Sequence, residues 1–220
     1  MDIVGWHRAF KVQLDTLDTQ SALRLQPEVV DVFLNKAINK IMMDLYDAYE
    51  ESQEMSDAIS SQTVILEIPN PSFPSLTITK IQTGVPNQWK VSIPDEYYHH
   101  LQSYATLKIG NSTGIVRTVK QLLDTENKVL SNPFERADDT EVPIFFKNGA
   151  IYVYTPDGST LDKFSITYLK NPIIVSYKQN ISSDIDEYLH ERIINLAVIY
   201  ALETYGSERT AAKVQIKDVT

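Results

Sequence analysis

Cysteine is absent from this chain, glycine numbers seven among 220 residues, and 20 Lys+Arg face 29 Asp+Glu. Each shortage excludes something. Without cysteine there is no disulfide framework and no thiolate metal site. Few glycines leave little room for phosphate-cradling loops. The one glycine-bounded polar stretch, Gly110-Asn-Ser-Thr-Gly114, lacks the Gly-Lys-[Ser/Thr] ending and runs into Ile115-Val116, so it reads as a hairpin loop. The formal net charge of -9 repels exposed phosphate and anionic lipid, so neither general nucleic-acid binding nor membrane attachment is expected. No run of about 18 apolar residues occurs. The first residues, MDIVGWHRAFKVQLD, lack the basic-then-apolar order of a secretory leader. A protein made in a cytoplasm is the expectation.

What is present is a real core: 43% of residues are hydrophobic and 22% charged, a balance that folds. Trp6, Phe10, Leu14 and Leu17 recur at helical spacing. Pro27 suits a first turn. Beyond it Val30, Phe33, Leu34, Ala37, Ile38, Ile41, Leu45 and Tyr49 predict a long second helix reaching towards Ile59. The most informative stretch is Asp184–Gly206. Ser183 or Asp184 can cap it, Asp186 and Glu187 fall in its first turn, and Gly206 stops it. Ile185, Leu189, Ile193, Leu196 and Tyr200 form one apolar stripe, with Ile194, Val198, Leu202 and Tyr205 beside it. A helix apolar around so much of its girth is covered on several sides.

Between the helical ends the period changes to two. Predicted strands are Thr63–Ile68, Leu76–Ile81, Trp89–Ile93, Ala105–Ile109, Gly114–Val119, Val142–Phe146, Ala150–Tyr154, Phe164–Leu169 and Ile174–Tyr177, with Asn148-Gly149 and Pro156-Asp157-Gly158 as turns. Pro94–Tyr104 reads as a short helix or irregular crossover, and Lys120–Leu130 as a short helix or turn. The expected fold class is α+β: a helical bundle from residues 1–61 and 179–206, a β-rich, sandwich-like region over 62–178, and a C-terminal tail, 207–220, suited to docking on another subunit.

Candidate chemistry is sparse. His190-Glu191 begins a zinc-protease helix, but position 194 is Ile where the second histidine belongs. His99-His100 are adjacent and point apart. The pairs Asp184/Asp186 and Asp138/Asp139 could hold a divalent cation, yet capping and a solvated loop explain them. Asn111-Ser-Thr113 and Asn180-Ile-Ser182 match a glycosylation pattern that matters only on secretion. No serine lies in a nucleophile elbow. No catalytic, cofactor-binding or metal-ligating residue is therefore assigned, and no cofactor is expected. Tyr97, Tyr98, Tyr104, Tyr152, Tyr154, Tyr168 and Tyr177 suit either an interface or ordinary strands.

Four segments together resemble a known family. They are QPEVVDVFLNKAINKIMMDLYDAYEESQ at 26–53, Ile-Pro-Asp-Glu-Tyr-Tyr-His-His at 93–100, ITYLKNPIIV at 166–175 and DEYLHERIINLAVIYALE at 186–203. In this order they resemble head-to-tail adaptor or tail ring proteins of short-tailed bacteriophages, the tail tubular protein A-like group, and ring proteins of crAss-like phages. The resemblance implies a non-enzymatic structural virion protein. It implies a homo-oligomer, commonly a dodecameric ring, that meets the portal protein and other tail or ring proteins while DNA passes through the lumen without specific binding. The alternative is a small-ligand or peptide-binding module using the β-rich region.

Overall fold

The computed structural model describes residues 1–17, 25–48, 60–81, 87–110, 112–120, 137–138 and 140–205. The chain divides into two units, Met1–Gln62 with Pro172–Thr220, and Thr63–Asn171.

The first unit holds three α-helices among its described residues: α1 (Ile3–Leu17), α2 (Pro27–Ala48) and α3 (His190–Tyr205). Ile3, Trp6, Phe10 and Leu14 bury the expected stripe of α1. Pro27 opens α2 as expected, since proline at the first helical position forfeits no bond. The broad apolar girth of α3 carries both other helices, while α1 and α2 touch each other little. A single 3₁₀ turn, Glu187–Leu189, precedes α3. The expected continuation of α2 beyond Ala48, the stop at Gly206 and the 207–220 tail lie outside the described residues.

Among its described residues the second unit is one eight-stranded sheet in the order β1-β8-β4-β5-β6-β7-β3-β2. Its strands are β1 (Thr63–Ile68), β2 (Ile78–Lys80), β3 (Gln88–Ser92), β4 (Tyr97–Ile109), β5 (Ser112–Lys120), β6 (Glu141–Lys147), β7 (Ala150–Tyr154) and β8 (Ser159–Lys170). All neighbours are antiparallel except β5 and β6. The inward residues of seven strands, among them Ile68, Val91, Leu107, Val116, Ile144, Val153 and Phe164, form one cluster. The last strand, β2, comes back into contact with β8. The sheet therefore curls around its own apolar face.

These findings correct the expected fold class. Among the described residues the chain has one curled, mixed sheet and three helices, not a helical bundle with a sandwich-like middle. Period-two alternation demands one buried face per strand, and a sheet curled on itself meets that demand as well as two stacked sheets do. Pro94–Tyr104 is also corrected. From Tyr97 it is strand β4, whose register against β8 shifts between Tyr97 and His99 and between His100 and Gln102. Those irregularities scramble the alternation that marks a strand. Asn148 and Gly149, at φ 53° and 66°, make the two-residue turn expected between β6 and β7.

Candidate functional site

Within the strap Ile173–Tyr177, the residues Ile174–Tyr177 expected as a strand make no ladder among the described residues; the one bridge they make joins Ser176 to Ile181. The strap's backbone bonds instead to polar side chains of its own unit. Asn35 accepts the Val175 N–H on Oδ1 at 2.8 Å and donates from Nδ2 to the Val175 carbonyl at 2.9 Å. One turn earlier on α2, Asp31 Oδ2 accepts the Tyr177 N–H at 2.8 Å. Asp184 Oδ1 accepts the Ile173 N–H at 3.1 Å. The spacing explains the pairing. Four helical residues advance about 6 Å, close to the roughly 6.6 Å spanned by two extended residues, so an i, i+4 pair on a helix can serve alternate residues of a strap.

The same Asp31 joins α1. His7 Nε2 lies 2.7 Å from Asp31 Oδ1, with the two side chains 13% and 12% exposed. A carboxylate accepts only, so Nε2 carries the shared proton. The His7 ring also packs on Tyr177, with centroids 4.7 Å apart. Asp31 thus holds α1, α2 and the strap together. Beside this junction lies a cavity of about 700 Å³, walled by Val4, Phe10, Leu14, Val30 and Tyr177 and rimmed by His7, Arg8, Lys11 and Asp15. Arg8 and Lys11 are exposed and, among the described residues, neither is ion-paired.

The residues singled out by motif are dispersed. His190 is buried, 4% exposed. Its Nε2–H donates to the Ile185 carbonyl at 3.0 Å, and its ring lies 4.5 Å from that of Trp6. Asp184 and Asp186 both precede α3, which begins at His190. Asp184 holds Ile173 N–H, and Asp186 accepts from Ser61 Oγ. Asp186 flanks the 3₁₀ turn with no side-chain capping bond. Asp138 Oδ1 accepts the Thr140 hydroxyl and the N–H groups of Thr140 and Glu141, which hold its carboxyl below the usual carboxylate range. Asp139 and Asn111 lie outside the described residues. His99 packs edge-on against Tyr98, whereas His100 is buried and bonds Ser103 at 2.9 Å. Ser103 bonds Thr118 in turn, so this serine–histidine contact belongs to a buried polar network of the sheet.

The tyrosines divide by role. Tyr168 is fully buried and donates to Glu96 Oε1 at 2.8 Å, and Tyr154 bonds Gln88. Burial first, and then Glu96, push the Tyr168 hydroxyl well above its ordinary pKa. Tyr104 and Tyr177 stay exposed.

Sequence reasoning passed over His7, Asp31 and Asn35. The available signal was the i, i+4 pair Asp31/Asn35 among the apolar residues of α2. No helix among the described residues is long and apolar enough to cross a membrane. Compared with models of known families the chain matches none, and no curated protein matches its sequence.

Proposed function

We propose that this chain is a structural virion protein that self-associates into a ring of the phage head-to-tail connector or tail, around the DNA channel. It is made in the host cytoplasm and meets the portal protein and other tail or ring proteins. The observation that carries the reading is the outward face of β1, β8, β4 and β5. Ile65 and Ile115 are 73% and 76% exposed there, with Tyr104 at 41%, and no described helix of the same unit covers them. Large apolar side chains exposed on one sheet face support the reading, since a neighbouring subunit would take them out of water. Two of the segments that carry the family resemblance also work together within the sheet unit. The Glu96 carboxylate accepts the Tyr168 hydroxyl, and its main-chain carbonyl accepts the Asn171 N–H at 2.7 Å. The charge of -9 suits a lumen through which DNA slides without sticking. Light scattering over rising protein concentration tests the reading, with Ile65→Lys/Ile115→Lys as the companion. The parent associates and the double variant stays monomeric. A parent that remains a strict monomer, alone and with a portal partner, overturns the proposal.

A further inference from the structure

The cavity beside the His7–Asp31 junction has a use that ring assembly does not require. Its accessible wall is apolar, from Val4, Leu25, Pro27 and Tyr177 backed by the buried Phe10, Leu14 and Val30, and its rim carries Arg8 and Lys11 on successive turns of α1. Two cations, Arg8 and Lys11, stand on this rim against one carboxylate, Asp15, in a chain of net charge -9. Neither cation is neutralised by a carboxylate among the described residues, although Asp15 sits on the same rim. His7 adds a third nitrogen-bearing group. Its Nε2 is committed to Asp31, so the ring is fixed in orientation, and its Nδ1 is not among the buried unpartnered atoms. Asp31 itself is spent: one oxygen takes His7 and the other the Tyr177 N–H. Asp31 is not among the residues that line the cavity. A volume of about 700 Å³ falls in the range of sites that hold small organic molecules.

We propose that this cavity binds a small amphipathic anion, a phosphate or carboxylate head on an apolar body, with Arg8 and Lys11 holding the head and the accessible apolar surface of Val4, Leu25, Pro27 and Tyr177 the body. Paired cations on a rim favour an anionic head, and charge-assisted hydrogen bonds from a guanidinium suit its oxygens. The apolar wall favours a ligand that brings its own apolar surface out of water.

Phenyl phosphate is the probe, titrated into the full chain and followed by calorimetry and by amide chemical shifts. Inorganic phosphate tests the head alone and phenol the body alone. Phenyl phosphate saturates one site, binds more tightly than either fragment, and shifts amides of α1 and of the start of α2. Arg8→Gln and Lys11→Gln each weaken it about three- to tenfold. Lys90→Gln, an exposed lysine on β3, leaves it unchanged. Both rim residues are exposed, so the variants keep the parent's melting temperature, and that measurement is made alongside. Three results overturn the proposal: no saturable binding, phenol binding as tightly as phenyl phosphate, or Lys90→Gln weakening the probe as much as the rim variants.

Discussion

The helical unit and the sheet unit satisfy extended backbone in opposite ways. In the sheet, β8 has β1 on one side and β4 on the other, so its amides and carbonyls are paired by main chain. In the helical unit the strap at Ile173–Tyr177 has no neighbouring strand among the described residues and borrows Asp184, Asn35 and Asp31. The borrowed bonds join residues 140 and 146 positions apart on α2 and the strap. Gln62 Nε2 adds another at 3.0 Å to the Asp184 carbonyl, 122 positions away. A ladder spreads its dependence over every residue, because any side chain brings the same backbone. A strap held by side chains concentrates it on a few. Single polar substitutions should therefore damage the helical unit more than the sheet unit.

The largest effects are blind to this difference and set its scale. Trp6→Ala in α1 and Phe164→Ala in β8 both delete fully buried rings, and each should cost about 3–5 kcal/mol in denaturant unfolding. The next tier separates the units. Asn35→Ala leaves both polar backbone groups of Val175 without partners and should cost about 2–3 kcal/mol, whereas Ser103→Ala in the sheet's hydroxyl network should cost about 1 kcal/mol. Equal losses for these two variants would break the comparison.

A smaller effect comes from Tyr168→Phe, which removes the hydroxyl held by Glu96 and should cost about 1 kcal/mol near neutral pH. Its signature is the pH dependence. The folded pKa of Tyr168 is raised above the ordinary value of 10.0, so above that pH the unfolded chain sheds a proton that the folded chain keeps. Stability is then fully present below about pH 10 and falls as pH rises further. Melting curves between neutral pH and pH 11 should show a steeper alkaline loss in the parent than in Tyr168→Phe; parallel curves would refute the assignment. The smallest effect is at the exposed pair Lys163–Glu67, 2.8 Å apart. Lys163→Gln should leave the melting temperature unchanged within error, as solvent screens such pairs.

Legibility in the sequence tracked how local the cause was. The strands Thr63–Ile68 and Ala150–Tyr154 have the boundaries expected from alternation, and the Asn148-Gly149 turn and the Pro27 helix start follow from backbone preferences of single residues. β4 was hidden because its bulges break the alternation. The carboxylates at 184 and 186 looked like capping groups because capping is the cheapest local use of them. A strap and a serine elsewhere in the chain claim them instead. Whether alternating strands stack or curl is decided by strand order, which no window of sequence contains. The junction at His7, Asp31 and Tyr177 was invisible for the same reason, since its members meet only when the strap lies along α2.

The pairing of β1 with β8 has a consequence for how the chain becomes ordered. Thr63 stands opposite Leu169, so the sheet begins and ends at the same place. Before it forms, closing the contact between Asn35 and Val175 means closing a loop of 140 residues. Once the two strands zip together, Gln62 and Pro172 become near neighbours, and the helical segments behave as if joined by a short linker. Loop-closure entropy grows with length, so the inserted sheet shortens the search of the helices that flank it. In kinetic terms the insertion is a clasp: its completion should precede, and accelerate, the docking of α3.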